Sequence, residues 1–243
     1  MTGTAPIAVA LDSRDLETAS AWARAVEPHV STVKIGLELF CRFGPESVAS
    51  VRGGSRIGLF LDLKLNDIPN TVAGAVRAVA RLRPTYLTVH ALGGRAMIAA
   101  AAEELPDGLI AAVTVLTSLD DADLTEFGFA ASSQDAVRRL AVMSVSAGAR
   151  AIVCSAREVA AVRAEVGPDI VLITPGVRTA GAGAQDQARV ATPEQALAGG
   201  SDLLVIGREI TSAADPGAAA ASLAAALRRV SRGASGADPP PAG

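Results

Sequence analysis

The sequence predicts an α/β fold, a single (β/α)8 barrel. Three observations lead there. Eight short runs rich in Val, Ile and Leu alternate with Ala-rich segments of helical character along 243 residues, and eight β-α units suit a closed barrel of this length. The runs are continuously apolar rather than alternating, as in parallel strands covered on both faces. Half of the residues are hydrophobic and 19% are charged, enough apolar material for one core, so one domain is expected over residues 1–230. An open doubly wound sheet shares the alternation, because periodicity does not show closure.

The elements follow in order. Strand one is the run Ile-Ala-Val-Ala-Leu at 7–11, with a helix over 15–26; strand two is 31–37, with a helix over 45–51. Strand three, 57–63, leads into a helix over 70–82 whose first turn Pro69 presets, with Asp67 available as its N-cap. Strand four at 86–90 precedes a helix over 94–104, and strand five at 109–116 a helix over 133–147. Strands six (151–154), seven (170–174) and eight (202–206) precede helices over 157–165, 193–198 and 215–230. The connection 176–191, with Gly176, Gly181 and Gly183, exceeds the usual few residues and is expected to form a lid. Residues 231–243 end in Pro239-Pro240-Pro241 without an apolar period and are expected to be a disordered tail.

Composition narrows the function. A formal net charge of -3 without a basic stripe, and 3% aromatic residues, argue against nucleic-acid binding. No apolar run approaches the ~20 residues that span a bilayer, and the amino terminus lacks a basic leader, so a cytoplasmic protein is expected. Cys41 and Cys154 lack metal-type spacing and are expected to be free thiols.

The chain has two lysines against twenty arginines, and both lysines lie near strand ends: Lys34 in Val33-Lys34-Ile35-Gly36 and Lys64 in Leu61-Asp62-Leu63-Lys64. Arginine serves equally on a solvated surface but holds its proton throughout the accessible pH range, whereas an ammonium can deliver one. Active-site groups of a barrel come from the carboxyl ends of its strands. The polar residues there are Asp12, Lys34, Asp62, Lys64, His90, Thr117 and Arg208. Asp62 and Lys64, two apart on one strand, face the same side. A lone buried ion pair would place both, but it leaves Lys34 and Asp67 unexplained. The array Asp62-x-Lys64-x-x-Asp67, with Lys34 as a second cation, reads as a catalytic network. Gly207-Arg208 after strand eight and Pro175-Gly176-Val177-Arg178 after strand seven suit a phosphate monoester, because glycine admits close backbone approach and arginine binds phosphate bidentately. Arg178 alone equally suits a solvated surface. His90 is assigned a structural role, and no metal-ligand cluster is visible beyond these carboxylates.

These residues resemble the orotidine 5'-phosphate decarboxylase family across 6–230. The motifs occur in order: Ala10-Leu11-Asp12, Val33-Lys34-Ile35-Gly36, the ten-residue signature Asp62-Leu63-Lys64-Leu65-Asn66-Asp67-Ile68-Pro69-Asn70-Thr71, Val113-Thr114-Val115-Leu116-Thr117-Ser118, Thr174-Pro175-Gly176-Val177-Arg178, Asp186-Gln187 and Val205-Ile206-Gly207-Arg208. The resemblance implies cofactor-free, metal-free decarboxylation of a nucleotide to UMP, with Lys34, Asp62, Lys64 and Asp67 as the charge network and Lys64 as proton donor. It implies that Asp12 and Lys34 contact the ribose, Thr117 the pyrimidine, and Pro175, Arg178, Gln187, Gly207 and Arg208 the lid and phosphate end. It also implies a homodimer in which Asp67 and Thr71 reach the partner's substrate. Asn66 stands where many members carry histidine and is given no role. Two alternatives share part of the pattern. A Mg2+-dependent keto-sugar-phosphate decarboxylase or aldolase has the Asp-x-Lys-x-x-Asp frame but lacks the Lys34 counterpart and the Ile68-Pro69-Asn70-Thr71 continuation. A non-catalytic phosphate-binding barrel would have no reason to keep the charge network complete.

Overall fold

The computed structural model describes residues 4–130, 132–178 and 191–234, with side chains up to residue 229. Its strands are β1 (Ala5–Ala10), β2 (Val30–Gly36), β3 (Gly58–Leu65), β4 (Tyr86–His90), β5 (Leu109–Val113), β6 (Ala151–Val153), β7 (Val171–Thr174) and β8 (Leu203–Ile206). All neighbours pair in parallel, and β1 pairs with β8 through Ile7↔Leu204, Ala8↔Val205 and Val9↔Ile206, so the sheet closes. Closure excludes the open doubly wound sheet.

The helices are α1 (Leu16–Val26), α2 (Leu37–Phe43), α3 (Pro45–Arg52), α4 (Pro69–Ala80), α5 (Gly94–Glu103), α6 (Asp121–Glu126), α7 (Ser133–Ser146), α8 (Val159–Val166), α9 (Pro193–Ala198), α10 (Arg208–Thr211) and α11 (Pro216–Ala234). Three of them, α2, α6 and α10, lie in stretches read from sequence as connections. α6 is held by a reciprocal capping box between Asp120 and Asp123. Strand five ends at Val113, shorter than expected, and the N–H and hydroxyl of Thr114 both donate to the carbonyl of Val153. Pro69 opens α4 as expected, but the cap residue is Ile68, without side-chain capping. Asp67 accepts the N–H of Ile68 at 2.7 Å instead of capping the helix. α11 runs to Ala234, past the expected boundary at 230. Residues 235–243 of the expected tail lie outside the described residues.

Alternation along each strand separates two cores. Val33 and Ile35 of β2 and Leu59, Leu61 and Leu63 of β3 point outward into the apolar layer shared with the helices. The inward positions carry Ala8, Phe60, Ala111 and Ile173 from β1, β3, β5 and β7, joined by Ala151 and Leu203. Phe60 meets Tyr86 edge-on, with centroids 5.8 Å apart, and the alanines around it leave room for its ring. This plug fills the barrel from below, as side-chain layers do in this architecture. Above it the inward positions of β2 and β3 become charged: Lys34, Asp62 and Lys64.

Candidate active site

A cavity of about 540 Å3 opens at the carboxyl ends of the strands. Phe60 contributes to its floor, and Asp12, Lys34, Asp62 and Lys64 stand on the wall formed by β1 to β3. Thr117, after β5, lies on the opposite wall. Pro175, Gly176 and Arg178 follow β7, and Gly207 and Arg208 follow β8. Six of the seven strand-end positions singled out from sequence thus share one space; His90 does not line it.

Asp62 is the hub. Its Oδ1 lies 2.7 Å from Lys64 Nζ and its Oδ2 3.2 Å from Lys34 Nζ. Lys34 Nζ also lies 3.6 Å from Asp12 Oδ1. The Lys34 and Asp62 side chains are only 10% and 13% exposed, against 30% for Lys64 and 55% for Asp12. The chain of charges therefore runs from a sealed centre to an open rim. Burial on its own would raise the Asp62 carboxyl, but the charges of Lys34 and Lys64 and their hydrogen bonds outweigh it, and Asp62 is held below the ordinary aspartate range. His90 is pushed down by burial and then by the charge of Lys64, with Asp62 opposing, so the neutral ring is favoured beside the lysine.

Local backbone shape places Lys64. Leu61 pairs with Leu87 and Leu65 with Val89, so β3 advances four residues while β4 advances two. Inside this bulge Lys64 adopts φ +48°, a left-handed conformation that costs a non-glycine residue about 1–2 kcal/mol. The ladder partner that its N–H loses is replaced by Thr88 Oγ1 at 2.8 Å.

Comparisons with known proteins point to one family. The model of the "Orotidine 5'-phosphate decarboxylase / HUMPS family" matches residues 5–223. The chain belongs to that family. An orotidine 5'-phosphate decarboxylase of Thermobifida fusca is 67% identical over 225 residues, covering 93% of this chain and 97% of that protein. One of Frankia casuarinae is 55% identical over 249 aligned positions, covering 96% and 91%. The crystal structure of orotidine 5'-phosphate decarboxylase from Lactobacillus acidophilus superposes with a TM-score of 0.80 at 35% identity, covering 93% of this chain and 98% of that one.

Two family positions from the sequence reading stand apart from the cavity. Asp67 and Thr71 are exposed and do not line it, and Asp67 forms no ion pair with Lys64 of its own chain among the described residues. Gln187 lies outside the described residues, as do 179–190 of the expected lid. The described ends of that connection meet: Val177 bridges Ala191, and the N–H of Arg178 donates to the Ala191 carbonyl at 3.0 Å. The cysteines are free, with Cys41 exposed and Cys154 buried beside the cavity, its thiol pushed up by burial.

Sequence reasoning missed Thr88 and the close approach at Gly36. A side-chain carbon at Gly36 would stand 3.0 Å from both Asp12 Oδ1 and Lys34 Nζ. The signal for Thr88 is a hydroxyl at an inward mid-strand position, between the outward Leu87 and Val89.

Proposed function

We infer that this chain converts orotidine 5'-phosphate into UMP and CO2 in de novo pyrimidine synthesis, without a cofactor. The observation that supports it best is Lys64 beside Asp62 and Lys34 on the wall of a cavity that also offers Arg208, Gly207 and Arg178 to a phosphate. The C6–carboxylate bond breaks, the electron pair stays on C6 in the ring plane, and CO2 leaves. That pair has no π system to enter, so the site must stabilise it electrostatically and then protonate it. The Lys64 ammonium does both, giving one proton from Nζ to C6. Asp62 keeps Lys64 charged and aimed, and Lys34 bridges Asp62 to Asp12 where the ribose binds.

One lysine does not supply the whole rate. Two unit charges ~4 Å apart gain about 4 kcal/mol at an effective dielectric near 20, against the roughly 8–23 kcal/mol by which enzymes lower barriers. Binding of the remote phosphate by Arg208 and Arg178 supplies the supplement.

The composite dimer site belongs to the same reading. Asp67 and Thr71 serve the partner's cavity, which accounts for their exposure here. Leu37, Ile68 and Leu92, which are 49%, 66% and 57% exposed, follow the carboxyl ends of β2, β3 and β4 and give that face an apolar surface to cover. A cytoplasmic location fits a chain in which no described helix is long and apolar enough to cross a membrane.

The test follows loss of orotidine 5'-phosphate absorbance in EDTA. Wild type is expected to be active, and Lys64→Ala to fall about 1000-fold, the loss of about 4 kcal/mol. Lys64→Arg is expected to stay low, because a guanidinium does not deliver the proton. Activity that disappears with EDTA would favour the metal-dependent relatives, and near wild-type activity in Lys64→Arg would overturn the proton-donor role.

A further inference from the structure

Thr88, on β4, is 1% exposed, and its hydroxyl closes a ring with Asp62 and Lys64. Thr88 Oγ1 accepts the N–H of Lys64 at 2.8 Å and lies 3.1 Å from Asp62 Oδ1, the same oxygen that takes Lys64 Nζ at 2.7 Å. A backbone N–H only donates and a carboxylate only accepts, so the hydroxyl proton has one place to go, onto Asp62. Both ends of Lys64 are therefore tied to one carboxylate, the ammonium directly and the backbone N–H through the Thr88 hydroxyl.

We infer that Thr88 is a positioning residue of the decarboxylation site: it holds the left-handed bend that aims Lys64 and fixes the rotamer of Asp62 that receives it. The inference rests on the function proposed above. Two observations favour positioning over packing alone. The β3–β4 ladder is broken where Thr88 replaces a backbone acceptor, so the hydroxyl satisfies a donor that the bulge would leave buried. The neighbours of Thr88 on β4, Leu87 and Val89, point away into the apolar layer and make no contribution to the ring. Apolar packing needs no hydroxyl there, and valine has the same branched shape.

The substitutions Thr88→Val and Thr88→Ser separate shape from hydrogen bonding. Valine keeps the shape and removes both hydrogen bonds, whereas serine keeps both bonds. In Thr88→Val, kcat for orotidine 5'-phosphate is expected to fall about 10- to 100-fold with KM changed less than about threefold, since a hydrogen bond to a charged group is lost where the reacting lysine is aimed. The acid limb of the kcat/KM profile should move to higher pH, because Asp62 loses a donor that favours its charged form. Thr88→Ser should restore kcat to within about threefold of wild type and return the acid limb to its place. If Thr88→Val does not fold, Thr88→Cys, a weak donor and acceptor, is measured by the same criteria. An active wild type with Thr88→Val at wild-type kcat and an unmoved pH limb would overturn this inference and leave the functional reading standing. An inactive wild type would overturn both.

Discussion

Asp62 carries more of the site's stability than any other charged residue there, because it is the shared partner of two cations in a sealed position. Its folded pKa lies below the ordinary value of 3.8, so between the two values the unfolded chain binds the extra proton. The contribution of Asp62 is therefore complete above 3.8 and is lost as pH falls through the lower folded value. Asp62→Asn leaves Lys34 buried without its main counter-charge and is expected to destabilise the protein by about 3 kcal/mol at neutral pH. The difference between the two proteins should shrink below pH 3.8 as wild-type Asp62 becomes neutral as well. Urea midpoints for both proteins across pH 2.5–7 would check it; a gap that stays constant to low pH would contradict the assignment. Lys34, Asp62 and Lys64 were legible from the scarcity of lysine and their strand-end positions. Thr88 was not, because it lies in mid-strand and acts only through a bulge. Nothing in Leu63-Lys64-Leu65 encodes a left-handed lysine; that conformation is imposed by the pairing of β3 with β4.

At the level of elements, all eight strands were legible as apolar runs, with boundaries displaced by at most three residues. The helices found late are short. α2 starts directly from Gly36 without a connecting loop or a side-chain cap, so it reads as a continuation of β2. α6 and α10 are six and four residues long, too short for apolar periodicity to develop. Gly36 has a second role. Its backbone, at φ -94° and ψ -175°, is ordinary extended chain, so what it supplies is space between Asp12 and Lys34. Gly36→Ala is expected to cost about 1 kcal/mol of crowding at those two side-chain tips, roughly a fivefold loss in kcat/KM. The thermal midpoint should hardly move, because both tips can swing away. A lowered midpoint with unchanged kinetics would mean that the strand, and not the ribose end, absorbs the methyl.

At the scale of the molecule, the composite site proposed above makes activity a property of pairs. Subunits carrying Lys64→Ala or Asp67→Ala are each expected to be nearly inactive. After exchange of an equal mixture, half of the dimers are mixed, and each mixed dimer holds one cavity with both residues intact. Recovery of about a quarter of wild-type activity is therefore expected; no recovery after demonstrated exchange would place Asp67 in its own subunit's site. The barrel was legible from eight repeated units, but its closure is a fact of assembly that periodicity does not encode. Closure has a consequence of its own. The β1–β8 pairing joins segments separated by nearly the whole chain, and Gly207 rests against Ala10 along that seam. Asp12 and Arg208 flank it, one from each end of the sequence. The pairing with the greatest sequence separation gains least from local order, and it forms only after β8 has been synthesised. A nucleotide held by both residues therefore acts as a clasp, tying the first strand of the chain to the last.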